Sequence, residues 1–193
     1  MRAFFCAALL SLSPLAAGQV HFEVTEHPYT FSTYFEFFGA TGYVGRIIKS
    51  KFNVRTHYDL YNGQNQYVGR GICQALSLGS VYSWGKDFDI YDANDTWIGM
   101  IDGVALTTME AKFVLYNQDN QHVATAYMNQ DRSGFILHDA GGRTVAHLKR
   151  NFIANAIDPW SVAIFDDTVC DPRLIQVFVG LAIDYQEFFK ADL

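Results

Sequence analysis

The sequence predicts an all-β fold with one helix: about twelve antiparallel strands, written as repeated hairpins and closed into a barrel around an apolar C-terminal helix. Three observations carry this. A hairpin unit recurs five times along the chain, its turn residues fall at the same place in each copy, and a run that is apolar on every side follows an N-capping residue near the end.

Taken from the start, MRAFFCAALLSLSPLAAG has one cation at Arg2, an apolar run from Ala3 to Leu12, Pro14, and small residues at Ala16, Ala17 and Gly18. That is the order of a secretion signal, and the run is too short to span a bilayer. Residues 1–18 are therefore expected to be removed, leaving 19–193 as one domain of a secreted protein. His21 to Glu26 supplies a first strand.

The repeat follows. YDLYNGQNQYVGR (58–70), FDIYDANDTWIGM (88–100), FVLYNQDNQHVAT (113–125) and FILHDAGGRTVAH (135–147) align without gaps, and FEFFGATGYVGR (35–46) joins them after one deletion in its turn. Each reads as alternating apolar residues, a cluster of Asn, Asp, Gly and Gln, then an apolar pair and a small residue, which is strand, tight two-residue turn, strand. Asn and Gly tolerate the positive φ such turns impose. These hairpins give ten strands, and Ser161 to Val169 adds one after them. So many sequential strands would leave exposed edges unless the sheet closed, and a barrel that wide needs more than strand side chains to fill it. Asp171 as N-cap, Pro172 in the first turn and the run from Leu174 to Ile183, polar only at Gln176, describe a short helix that must be buried.

In these successive hairpins and in the terminal DPRLIQVFVGLAIDYQEFF, residues 20 to 190 resemble the Tubby C-terminal-like superfamily, which includes Tubby domains, phospholipid scramblases and LURP-one-related proteins. The resemblance implies a twelve-stranded barrel around a central helix and a theme of lipid or membrane surfaces. A secretion signal would separate this chain from cytosolic phosphoinositides.

Half the residues are hydrophobic and only 18% are charged, which excludes disorder, and a net charge of −6 opposes broad binding to nucleic acid. The one dense basic stretch is Arg46 to Arg55. Read as a strand, it puts Lys49, Lys51 and Arg55 on one face, with Arg46 nearby, and Ile48, Phe52 and Val54 on the other. If the apolar face turns inward, the cations form an outward stripe suited to an anionic headgroup or acidic glycan, or one that only keeps a strand soluble.

Other motifs are weaker. GATGYVG (39–45), with Tyr82 and Lys86, is spelled like a dinucleotide-binding turn and a Tyr-x-x-x-Lys pair, but its glycine recurs at Gly69 and Gly99 as a repeat position. An NAD(P)-dependent oxidoreductase is thus a minor alternative. Asp87, Asp89, Asp92 and Asp95 concentrate acid without calcium-loop spacing, and His138 with His147 lacks companions for a metal set. Neither a catalytic motif nor a cofactor is read from the chain, and the leading expectation is a non-enzymatic binding module, the alternative a structural or protein-interaction role. Without Cys6, Cys73 and Cys170 form an even pair that can be a disulfide or two buried thiols. Asn94-Asp95-Thr96 is a glycosylation acceptor pattern on an expected turn.

Overall fold

All five repeat copies form hairpins in the computed structural model, which describes residues 20–75, 85–104, 111–131, 133–151 and 159–184. The hairpins are β2–β3 (Ser32–Gly39, Gly42–Ser50), β4–β5 (His57–Asn62, Tyr67–Cys73), β6–β7 (Phe88–Asp92, Trp97–Gly103), β8–β9 (Lys112–Asn117, His122–Met128) and β10–β11 (Gly134–Asp139, Thr144–Arg150). With β1 (Val20–Pro28) and β12 (Trp160–Ile164), which pair with each other, they close an antiparallel barrel of twelve strands. The signal-like residues 1–18 and Tyr82 lie outside the described residues.

The repeat becomes a repeated packing unit. Its first residue, Phe35, Tyr58, Phe88, Phe113 or Phe135, is fully buried in every copy. Its third, Phe37, Leu60, Ile90, Leu115 or Leu137, is also buried and lies opposite Gly45, Gly69, Gly99, Ala124 or Ala146. Directly after that pair the register shifts in all five hairpins. At Gly69 and Gly99, both at φ +153°, no side chain fits: a Cβ would stand 2.4 or 2.2 Å from a carbonyl oxygen of the neighbouring strand.

Four of the turns are longer than the expected two residues. Asn62, Asp92, Asn117 and Asp139 each accept, through Oδ1, the amides of the residues two and four positions on, at 2.8–3.0 Å. A residue at positive φ, Asn65, Asp95, Asn120 or Gly142, then closes each turn. Only the copy with the deletion, Gly39-Ala40-Thr41-Gly42, makes the two-residue connection. That is the glycine-rich segment spelled like a nucleotide site; here it is a hairpin between antiparallel strands.

Helix α1 (Pro172–Asp184) runs through the barrel, and all of its residues from Leu174 to Ile183 except Gln176 are buried. Phe178 packs edge-on to Phe113 and Phe135. Inward-facing glycines make room for it: a Cβ at Gly71 would lie 2.7 Å from Val177. The expected last strand ends five residues early, at Ile164. Beyond it, Asp166 accepts the Thr168 amide and hydroxyl, and Asp171 Oδ1 accepts the Arg173 amide at 2.9 Å as the helix N-cap.

Because the turns of the five repeat hairpins lie at one end of the barrel, the connections between them, including 51–56, and the β1–β2 connection 29–31 lie at the other. The helix enters at the hairpin end and leaves at the loop end. At its start, Arg173 grips both Asp171 oxygens and donates from Nη1 to the Val68 carbonyl. Burial pushes the Asp171 carboxyl up, but the Arg173 hydrogen bonds outweigh it and hold the group below its ordinary range. At its finish, Asp184 Oδ2 accepts from Lys49 Nζ at 2.6 Å and from the Tyr58 hydroxyl.

Candidate functional site

The basic stretch does not form the expected stripe. Inward parity in β3 belongs to Gly45 and Ile47, so Lys49 lies on the inward side with them and reaches the helix terminus. The strand stops at Ser50, after which alternation no longer governs direction. Lys51 donates to the Tyr29 carbonyl at 2.5 Å and Arg55 is exposed. Arg46 faces outward on the wall, its guanidinium between the rings of Tyr34 and Tyr61 at 5.4 and 5.5 Å. Phe52 and Val54, expected inside the barrel, are exposed to 72% and 104%.

Those two residues belong to an apolar tip at the loop end. The tip joins the β1–β2 connection to the β3–β4 connection: Phe31, 63% exposed, meets Phe52 with ring centroids 5.1 Å apart, and Tyr29 stacks against Tyr34 at 4.9 Å. Two backbone bonds and one to a hydroxyl hold it as a platform. Tyr29 N donates to Ser32 O, Lys51 N donates to Phe31 O, and the Ser50 hydroxyl accepts from Phe52 N. A recess of about 330 Å³ lined by Tyr29, Thr30, Phe31, Ser32 and Tyr34 flanks it. From Tyr43 to Tyr58 the chain carries Arg46, Lys49, Lys51 and Arg55 and no carboxylate. Of these cations Lys49 is paired with Asp184, while Lys51 and Arg55 are exposed in the same connection as Phe52 and Val54; clustered exposed apolar side chains of this kind are a candidate contact surface, where scattered ones are not.

No family model matches the chain, and no curated protein matches it.

Cys73 and Cys170 are buried thiols and not a disulfide. The helix keeps them apart. Along β5, Gly69 faces Arg173 and Gly71 faces Val177, so Cys73 lies toward the loop end, whereas Cys170 precedes the helix at the hairpin end. A separation of several helical turns, at about 1.5 Å per residue, exceeds the Cα distance of about 7 Å that a disulfide spans. Burial pushes the Cys170 thiol up to about 12, helped by Asp171 and Asp166, which keeps it protonated at neutral pH.

The four aspartates of the acidic hairpin are spread over separate tasks. Asp92 closes a turn, Asp95 pairs with Arg70 at 3.1 Å, and Asp89 accepts from Gln74 Nε2 and Trp97 Nε1. Asp87 accepts from the Gly103 amide. Among the described residues no group of three or more His, Cys, Asp or Glu side chains could hold a metal. His138 lies against Tyr127 and Thr144, while His147 is opposite Ile136 rather than His138. Asn94 is exposed on the β6–β7 turn.

The sequence reading missed Phe31 and Tyr29 altogether and misplaced Phe52 and Val54. One available signal was the repeat itself. Gly45 aligns with Gly69, so Ile47, two residues on, takes the place of inward-facing Gly71 and sends Lys49 inward as well.

Proposed function

We propose that this chain is a non-enzymatic binding module that docks on anionic membrane surfaces through the loop end of its barrel. The observation that carries this reading is the placement of Lys51 and Arg55, both exposed, beside Phe31, Phe52 and Val54, in a segment without acid. Cations near an anionic leaflet contribute about 1 kcal/mol each, and the surface potential fades within a Debye length. The chain as a whole is acidic, with a net charge of −6, so a local basic segment is what an anionic surface would attract. The barrel around a central helix supports a kinship with the Tubby C-terminal-like proteins and their lipid theme. The signal-like residues 1–18 support export, which would make the outer face of a membrane the target.

The test is sedimentation with vesicles of neutral phosphatidylcholine, alone or mixed with phosphatidylserine. Binding is expected only to the mixed vesicles and should weaken with added salt. Replacing Lys51 and Arg55 together by Gln should cost about 2 kcal/mol, or roughly thirtyfold in affinity. Absence of binding to mixed vesicles at low salt would overturn the proposal and favour a protein-interaction role.

A further inference from the structure

We infer that Phe31, Phe52 and Val54 insert into the hydrocarbon side of the membrane interface, so that the barrel binds with its loop end down and its hairpin turns pointing away. This rests on the proposed membrane reading and adds a mode and an orientation to it.

The argument starts from protrusion. Val54 exposes its whole side chain, and Phe31 and Phe52 expose most of theirs although they pack on each other. These are the residue types that a closed barrel buries, and β1 to β4 have inward positions filled by Val24, Phe35, Phe37, Ile47, Tyr58 and Leu60. The tip is therefore surplus to the core. It is also rigid at its base, where Lys51 N and Nζ bond to the carbonyls of Phe31 and Tyr29 across the two connections. An anchored apolar point keeps its shape on leaving water, so little ordering opposes insertion.

The sequence of chemistries behind the tip matches a bilayer interface. Phe31, Phe52 and Val54 are the most exposed of the large apolar side chains among the described residues, Tyr29 is less exposed and packs on Tyr34, and exposed Lys51 and Arg55 adjoin Phe52 and Val54 in the chain. Aromatic residues with polar ends favour the headgroup boundary, and cations reach anionic headgroups while their neighbours enter the acyl region. A protein partner or a second copy would have to match a projecting apolar point rimmed by cations. An anionic bilayer supplies both complements together.

The experiment uses the full chain with a single new thiol at the tip, Val54→Cys, carrying an environment-sensitive fluorophore. Cys73 and Cys170 are buried, and unsubstituted protein put through the same labelling supplies the background. Asn94→Cys, exposed on a hairpin turn, reports the opposite end. With mixed anionic vesicles the label at 54 should shift to the blue and be quenched by lipids spin-labelled near the headgroup, while the label at 94 stays in water. Phe31→Ser combined with Phe52→Ser should weaken binding about tenfold or more and leave thermal melting unchanged. Vesicles that bind protein with label 54 still in water, or that bind the double variant as tightly as wild type, would overturn insertion and leave the electrostatic reading standing. Failure of all forms to bind would overturn both. A blue shift that grows with protein concentration in the absence of lipid would assign the tip to a second copy and overturn insertion too.

Discussion

At the hairpin end, four turns close by the same device, an Asn or Asp oxygen taking two backbone amides; at the loop end, the 29–31 and 51–56 connections share no such pattern and expose Phe31, Phe52 and Val54. Carboxylates record the same contrast. The backbone amide of Thr96 holds Asp92, and that of Arg143 holds Asp139, below the ordinary range, whereas burial at the loop end pushes Asp87 up to about 6. The loop end is not uniformly different, since Ser133 lowers Asp131 in the β9–β10 turn. The hairpin end spends its polar groups on its own backbone. The loop end exposes apolar and cationic side chains beside carboxylates such as Asp87 and Asp131, and connections of this kind are where interaction surfaces ordinarily lie.

The helix joins the two ends, and cutting one of its pins gives the largest expected effect. Asp184→Ala leaves Lys49 and the Tyr58 hydroxyl without their shared acceptor at a site mostly shielded from water. Stranding a partly buried charge and a hydroxyl costs about 1–3 kcal/mol. Urea unfolding should show that loss, and a Lys49→Met/Asp184→Leu double variant should recover most of it because an apolar pair has no charge to strand. A single variant as stable as wild type would mean that the loop end does not hold the helix.

A middle-sized effect separates the ends directly. Asn117→Ala removes the acceptor of the Asp119 and Gln121 amides and should cost about 1 kcal/mol. Phe52→Ser, for all the size of the residue, should change stability by no more than about 0.5 kcal/mol. Parallel chemical melts check both. A large loss from Phe52→Ser would place that ring in the fold's own packing and remove it from any docking surface.

The two ends also differ in how far they could be read from sequence. Hairpin signals are local: Tyr58 to Arg70 contains both strands, the turn and the small residue opposite Leu60, so neighbouring residues specify the whole unit. The helix was legible for the opposite reason, because a run apolar on every side has only one stable place. Direction in β3 was not. Ile47 and Ile48 are both apolar, the register shifts between Phe37 and Phe38, and the strand stops at Ser50, so alternation counted back from Phe52 arrives out of phase. Nor could the tip be seen, since a phenylalanine in a β protein is ordinarily core. Its exposure follows from where β1 and β3 stop, at Pro28 and Ser50, which puts Phe31, Phe52 and Val54 in connections beyond the strand ends. The thiols likewise separate only once the helix direction inside the barrel is known.

The smallest effect tests the electrostatic half of the contrast. Asp87 lies at the loop end, where its carboxylate accepts the Gly103 amide; burial raises its pKa, that amide lowers it, and Asp102 raises it further, giving about 6 against an ordinary 3.8. A raised carboxyl pKa means that the folded chain holds its proton more tightly than the unfolded chain does. Between about 4 and 6, folding therefore takes up a proton, and stability from this group falls as pH rises through that window. Above it, the charged form is a standing penalty, reduced by the solvent that still reaches the group. Asp87→Asn keeps an oxygen for the Gly103 amide and removes the charge. The variant should be more stable than wild type at pH 8, with the advantage shrinking toward zero near pH 4 as Asp87 itself becomes neutral. Urea midpoints measured across that range decide the matter. The corresponding Asp92→Asn change at the hairpin end should behave oppositely, because a lowered carboxylate contributes stability above its unfolded pKa that is lost on acidification. If both variants followed the same pH course, the two ends would not differ electrostatically, and the contrast would rest on apolar exposure alone.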